Sequence, residues 1–184
     1  MTKPLSLLKW FLLIWGGLSL VGAIGLGGFF AYQLGPGNID KIDSASKKDV
    51  HYVLNWCELG DKRIEKVIHS YVSSRSFTGD HLEAYAIQLK YVSIAELIAK
   101  KDDFHRRWYR CDEVTGILDH AVDFLAGWLN SGEIPWFPSE EELRIDGYFV
   151  YPVSIYCHGV RPTATQLIFV RPSDRMIFYF SGKT

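Results

Sequence analysis

The chain has 184 residues, room for one ordinary domain and an appendage. Twenty Lys and Arg against 21 Asp and Glu give a formal charge of −1, which excludes the basic footprint of a general nucleic-acid binder. Three cysteines are too few for a disulfide scaffold, and 48% hydrophobic residues exclude a disordered chain.

No charged side chain occurs from Trp10 to Ile39. The dense part of that run, Trp10 to Leu34, would rise about 37 Å as a helix, enough to cross a ~30 Å hydrocarbon core. Trp10 and Trp15 lie near one end and Phe29, Phe30 and Tyr32 near the other, where lipid–water interfaces favour amphipathic rings. Gly35-Pro36-Gly37 stops the helix. Residues 1–34 therefore read as a transmembrane anchor. The rival is a cleavable signal peptide, with Lys3 and Lys9 as its basic region and Val21-Gly22-Ala23 as its cleavage site. Apolar sequence running on past Ala23 favours the uncleaved anchor. Ser19, Ala23, Gly27 and Ala31 recur every four residues and form a stripe of small side chains suited to helix–helix association in lipid. Lysines flank the span almost equally. The short N-terminus and the long following domain favour a cytoplasmic N-terminus and an extracytoplasmic domain, with the unpaired-looking cysteines pulling the other way.

Residues 35–48 read as a linker and 49–184 as one α+β domain. All but two of the basic residues and all of the acidic ones lie after residue 34, so the domain is mildly acidic and not built to hug anionic lipid. Val50, Val53, Leu54 and Cys57 have helical spacing, closed by Gly60; Ile64, Val67, Ile68, Tyr71 and Val72 predict a second helix. Thr78-Gly79-Asp80 breaks the pattern. From Leu82 to Val92 the period becomes that of a strand, and Ser93 with Glu96 opens a short helix through Ala99. Phe104 to Arg110 reads as a strand, and Asp112 as the cap of a helix over 113–130 ended by Gly132. Ser139 and Glu142 open one turn. The last residues predict a three-stranded antiparallel sheet over 148–157, 163–171 and 175–181. A longer loop at His158–Pro162 joins the first two strands, and a tight turn at Pro172-Ser173-Asp174 joins the last two.

The six histidines are scattered, with no His-Glu-x-x-His, Cys-x-x-Cys or calcium-loop spacing, so no metal and no cofactor is expected. Ser181-Gly182-Lys183-Thr184 lacks the upstream glycine of a phosphate loop, and no Gly-x-Ser-x-Gly elbow occurs. One weak enzymatic alternative remains: a membrane-tethered hydrolase with Cys111 as nucleophile, next to a helix start, and His158 or His81 as base. The leading expectation is a non-enzymatic domain that binds another protein. It would serve as an accessory subunit of a membrane complex or neutralise a toxin or enzyme at the membrane. Trp136 and Phe137 between prolines, and Trp108, Tyr109 and Arg110, are the residue types that dominate such interfaces. Tyr148, Tyr151, Tyr156 and Tyr179 are assigned to an open sheet face. The expected partners are another protein, of unknown identity, and the bilayer, not nucleic acid.

Overall fold

A computed structural model describes residues 3–34, 38–74, 76, 79–99 and 103–184. The expected helix stop at Gly35-Pro36-Gly37 and Thr78 of the predicted break lie outside the described residues. The chain forms two compact units, residues 1–39 and 40–184.

The first unit is dominated by one helix, α1 (Lys3–Leu34). Its stretch Lys9–Tyr32 is long and apolar enough to cross a membrane, and a signal sequence passes the same test of length and composition. Apolar side chains surround the axis, as expected of a helix solvated by lipid rather than by water on one face.

The second unit is α+β. It holds β1 (Lys41–Ile42), α2 (Lys47–Trp56), β2 (Ile64–Val72), β3 (His81–Leu89), α3 (Ile94–Ile98), β4 (Tyr109–Arg110), α4 (Ile117–Leu129), α5 (Glu140–Leu143), β5 (Phe149–His158), β6 (Arg161–Arg171) and β7 (Met176–Lys183). All seven strands join one sheet in the order β1-β2-β3-β7-β6-β5-β4, with every pairing antiparallel. The expected three-stranded sheet is thereby corrected to seven. β5, β6 and β7 fall where the alternation placed them, and four strands from earlier in the chain extend the sheet on both sides.

The largest correction is β2, which replaces the second predicted helix. Its apolar residues have helical spacing because register shifts between Ile64 and Lys66 and between Val67 and His69 interrupt the strand alternation. Ile64, Val67 and Val72 consequently meet one face of the sheet, while Ile68 and Tyr71 meet the other. The loop expected at His158–Pro162 is a two-residue turn, since His158 already pairs with Arg161 and Gly159 takes the positive φ that glycine accepts. The 104–110 segment is a 3-10 turn at Phe104–Arg106 followed by a two-residue strand. The long helix starts at Ile117 after Gly116, so Asp112 does not cap it.

Each face of the sheet is covered. On the first, Leu118, Ala121, Val122 and Leu125 of α4 bury against Leu167, Phe169, Phe178 and Phe180. On the second, Val50, Val53 and Leu54 of α2, with Leu97 of α3, bury against Tyr85, Ile87, Ile168, Ile177 and Tyr179. Neighbouring strand residues serve opposite cores, so β3, β6 and β7 read as nearly continuous apolar runs. At about 25 cal/mol per Å² of buried apolar surface, these two layers supply the main driving force of folding.

Candidate functional site

The residues singled out for binding part company in the structure. Phe137 is 6% exposed and packs edge-on against Phe169 and Phe178, which makes it core. Trp136 is half-buried and stacks on His69 with ring centroids 5.4 Å apart. Of the tyrosines assigned to an open face, Tyr148, Tyr151 and Tyr179 are buried and Tyr156 alone is exposed. Trp108, Tyr109 and Arg110 are brought together around β4, at one end of the sheet.

That end carries a trough. Two adjoining depressions meet at Ile98, Arg110 and Phe149; Trp108 and Tyr109 extend one of them, and Val92 and Ile94 the other. Its wall is α3, five residues long and therefore able to bury only one side. Leu97 points inward and is 1% exposed, while Ile94 and Ile98, one turn apart on the same side, are 52% and 57% exposed. Tyr91 and Ile145 nearby are exposed as well. Single exposed apolar residues are ordinary; a group of them around one groove is the surface signature of an interaction site.

Electrostatics fix this wall in place. Arg63 donates both guanidinium nitrogens to Glu96 at 2.6 and 2.7 Å, a bidentate pair that ties α3 to the start of β2 and lies over the Tyr91 ring. That guanidinium holds the Glu96 carboxyl below the usual range. The Ser93–Glu96 spacing that opens α3 in the sequence is thus used differently: Ser93 makes no side-chain cap, and Glu96 reaches Arg63. On the opposite wall Arg110 bonds Asp112 and, at 2.8 Å, Asp146. Arg107 lies over the Tyr109 ring, 4.2 Å from its centre, with no ion pair among the described residues.

Cys111 and its proposed bases are not assembled. Its backbone N–H bonds Tyr148 at the start of β5, and burial pushes its thiol up. His158 ends β5 nine residues from Phe149, about 30 Å along an extended strand. His81 lies at that same far end, level with Lys183, which is level with Ala164 and hence Tyr156. Cys57 is also buried, which pushes its thiol up to about 12, and Cys157 is exposed. Among the described residues no group of three or more His, Cys, Asp or Glu could hold a metal ion.

Ser19, Ala23, Gly27 and Ala31 share one side of α1 because the helix runs unbroken through them.

The sequence reading missed Ile94 and Ile98. Four apolar residues in five do not define which side of so short a helix is buried, and a full amphipathic period would be needed to separate them.

No protein-family model, no curated protein and no solved structure matches this chain.

Proposed function

We propose that this chain is a single-pass membrane protein whose 40–184 unit binds another protein through the trough between α3 and β4. The observation that carries this reading is the outward apolar side of α3. Ile94 and Ile98 are held in water on a helix that Arg63 and Glu96 pin down, so the exposure is a property of a fixed surface rather than of a loose end. Interfaces draw their energy from such apolar centres ringed by aromatic and arginine side chains, and Trp108, Tyr109, Arg107 and Arg110 form that ring. The partner is a protein at or in the membrane. The role is that of an accessory subunit of a membrane complex or of a neutraliser of a toxin or enzyme there. The domain lies outside the cytoplasm with Lys3 inside, since long domains after a span are translocated largely regardless of charge. The small-residue side of α1 adds a second contact, helix to helix in lipid.

The test is capture from native membranes with the Ile94→Asp/Ile98→Asp double variant. It should fold, span the bilayer and lose the partner, while Gly27→Leu should weaken capture by a smaller factor. Equal capture by wild type and the double variant would overturn the trough as the binding surface. Protease added to sealed right-side-out vesicles should digest the domain; protection until the vesicles are opened would reverse the orientation.

A further inference from the structure

The trough does not end at Phe149. A third depression adjoins it at Asp146, Gly147 and Ser173 and carries the groove on to Ile145, Tyr148 and Arg171. Gly147 borders both depressions with φ +109, and no described atom stands within 4 Å of where its Cβ would be. A crossing chain can therefore approach bare backbone there. The groove offers apolar ground at two places. One is Ile94 and Ile98 beside Phe149, and the other is Ile145, which is 57% exposed.

Between these two places the groove is acidic. Arg110 is met by three carboxylates: Asp146 at 2.8 Å, Asp112 at 3.0 Å and Glu113 at 3.5 Å. One guanidinium offsets one of them, and two negative charges remain. The side chains of Asp146 and Glu113 are 81% and 68% exposed against 30% for Asp112, so the surplus faces outward. It belongs to a wider asymmetry. From Asp112 to Asp146, nine Asp and Glu stand against one Lys or Arg, Arg144, which is occupied by Asp119, Asp123 and Glu140. The α3 wall opposite has a single carboxylate, Glu96, and Arg63 already holds it. The cations at the two ends of the groove are engaged as well, Arg107 over the Tyr109 ring and Arg171 with Asp174.

These charges select what can fill the groove. A neutral occupant would take water away from Asp146 and Glu113 and give nothing back, and an acidic one would repel them. A Lys or Arg pairs with them, and its stem covers apolar surface on the way. The same surplus disfavours an anionic lipid surface in this groove.

We propose that the partner segment filling the trough is basic and amphipathic: apolar side chains lie over Ile94 and Ile98 and over Ile145, with an Arg or Lys between them against Asp146 and Glu113. This rests on the protein-binding reading and names the chemistry of its partner.

The test uses the full chain in phosphatidylcholine nanodiscs, which carry no net charge, and an acetylated, amidated nonapeptide repeating leucine, serine and arginine, followed by fluorescence anisotropy. Saturable binding is expected. The counterpart with citrulline for arginine, neutral and of the same shape, should bind at least about tenfold more weakly, the loss of one charge-assisted hydrogen bond. The glutamate counterpart should not bind. Asp146→Lys should weaken the arginine peptide by a similar factor. Glu133→Lys, the same change of charge near Tyr71 at the other edge of the sheet, should not. Both positions are exposed, and unchanged thermal melts confirm folding. No saturable binding, equal binding of the citrulline peptide, or equal effects of Asp146→Lys and Glu133→Lys would overturn the proposal. Ile94→Asp/Ile98→Asp adds two negative charges to the trough and should nevertheless weaken the peptide; tighter binding would mean attraction by charge alone and would overturn it too. If that double variant loses the partner in native membranes while the peptide shows no preference for arginine, this inference alone falls. If capture survives the double variant, the trough reading falls and this inference with it.

Discussion

The two ends of the sheet in the 40–184 unit are made by the same central strands and finished in opposite ways. At the α3–β4 end Arg63 and Arg110 are held by carboxylates and Arg107 lies over the Tyr109 ring, and the exposed surface is apolar: Ile94, Ile98 and Tyr91. At the hairpin end the surface is polar: His158, Arg161 and Lys183 are exposed beside Ser154 and Gln166. The difference follows from helix cover. α3 is too short to hide both of its sides, which exposes isoleucines at one end. The apolar cover of the second face ends near Tyr179, so the far residues of that face had to be Ser154, Gln166 and Ser181. A domain finished this way separates what holds it together from what it offers outward.

The comparison breaks first if the two ends do not share one core. Leu125, fully buried beneath the first face, is the probe: Leu125→Ala should lower stability by about 2–5 kcal/mol. Hydrogen exchange should show equal losses at α3 and at β5. Loss at one end only would mean two separate packing units.

Gly182 sharpens it next. A Cβ there would meet Phe180 at 2.5 Å and Trp128 Nε1 at 2.9 Å, so Gly182→Ala should destabilise by about 1–3 kcal/mol in chemical denaturation. Such a loss would show that the first face stays close-packed against Phe180 and Trp128 as far as the end of β7. A neutral result would show that face loosely packed at the hairpin end.

At the trough, Ile94→Asp/Ile98→Asp should change stability by no more than about 0.5 kcal/mol, because neither side chain is core. Thiol labelling offers the same contrast between exposed and buried groups: Cys157 should react at once, Cys57 and Cys111 only on unfolding.

The smallest effect concerns acid. Arg63 lowers the Glu96 carboxyl below its ordinary value, so the stability of this pair is present above the unfolded carboxyl range near ~4.3 and is lost as pH falls through the lower folded value. Hydrogen exchange of Ile94–Ile98, corrected for its intrinsic pH dependence, should rise in that window while β6 stays protected. Equal behaviour of both would mean that Glu96 does not pin α3.

Legibility in the sequence followed how many residues voted on each feature. α1 was plain because about 25 residues agree, and α4 because Leu118, Ala121 and Leu125 repeat over about two turns. The Ser139–Glu142 cap is present as written, with Glu142 N–H bonded to Ser139 Oγ and the Ser139 N–H to the Glu142 carboxylate. β2 was hidden because two bulges convert a strand's alternation into helical spacing. β1 was hidden because two residues carry no period at all, and β4 is only the last two residues of the strand expected over 104–110. Trp108, Tyr109 and Arg110 were singled out by type and do line the trough, whereas Phe137, chosen on the same ground, fills the core. Residue type says that a side chain is valuable in contact; only the packing says with what.

The most direct test of the account is site-specific photocrosslinking in native membranes, with a photoreactive phenylalanine analogue in place of Ile98 and, separately, of Val160 on the exposed hairpin turn. The account predicts one discrete protein adduct from Ile98, removed by Ile94→Asp in the same chain. Adducts to lipid alone, or none, from Ile98 would contradict a protein-binding trough.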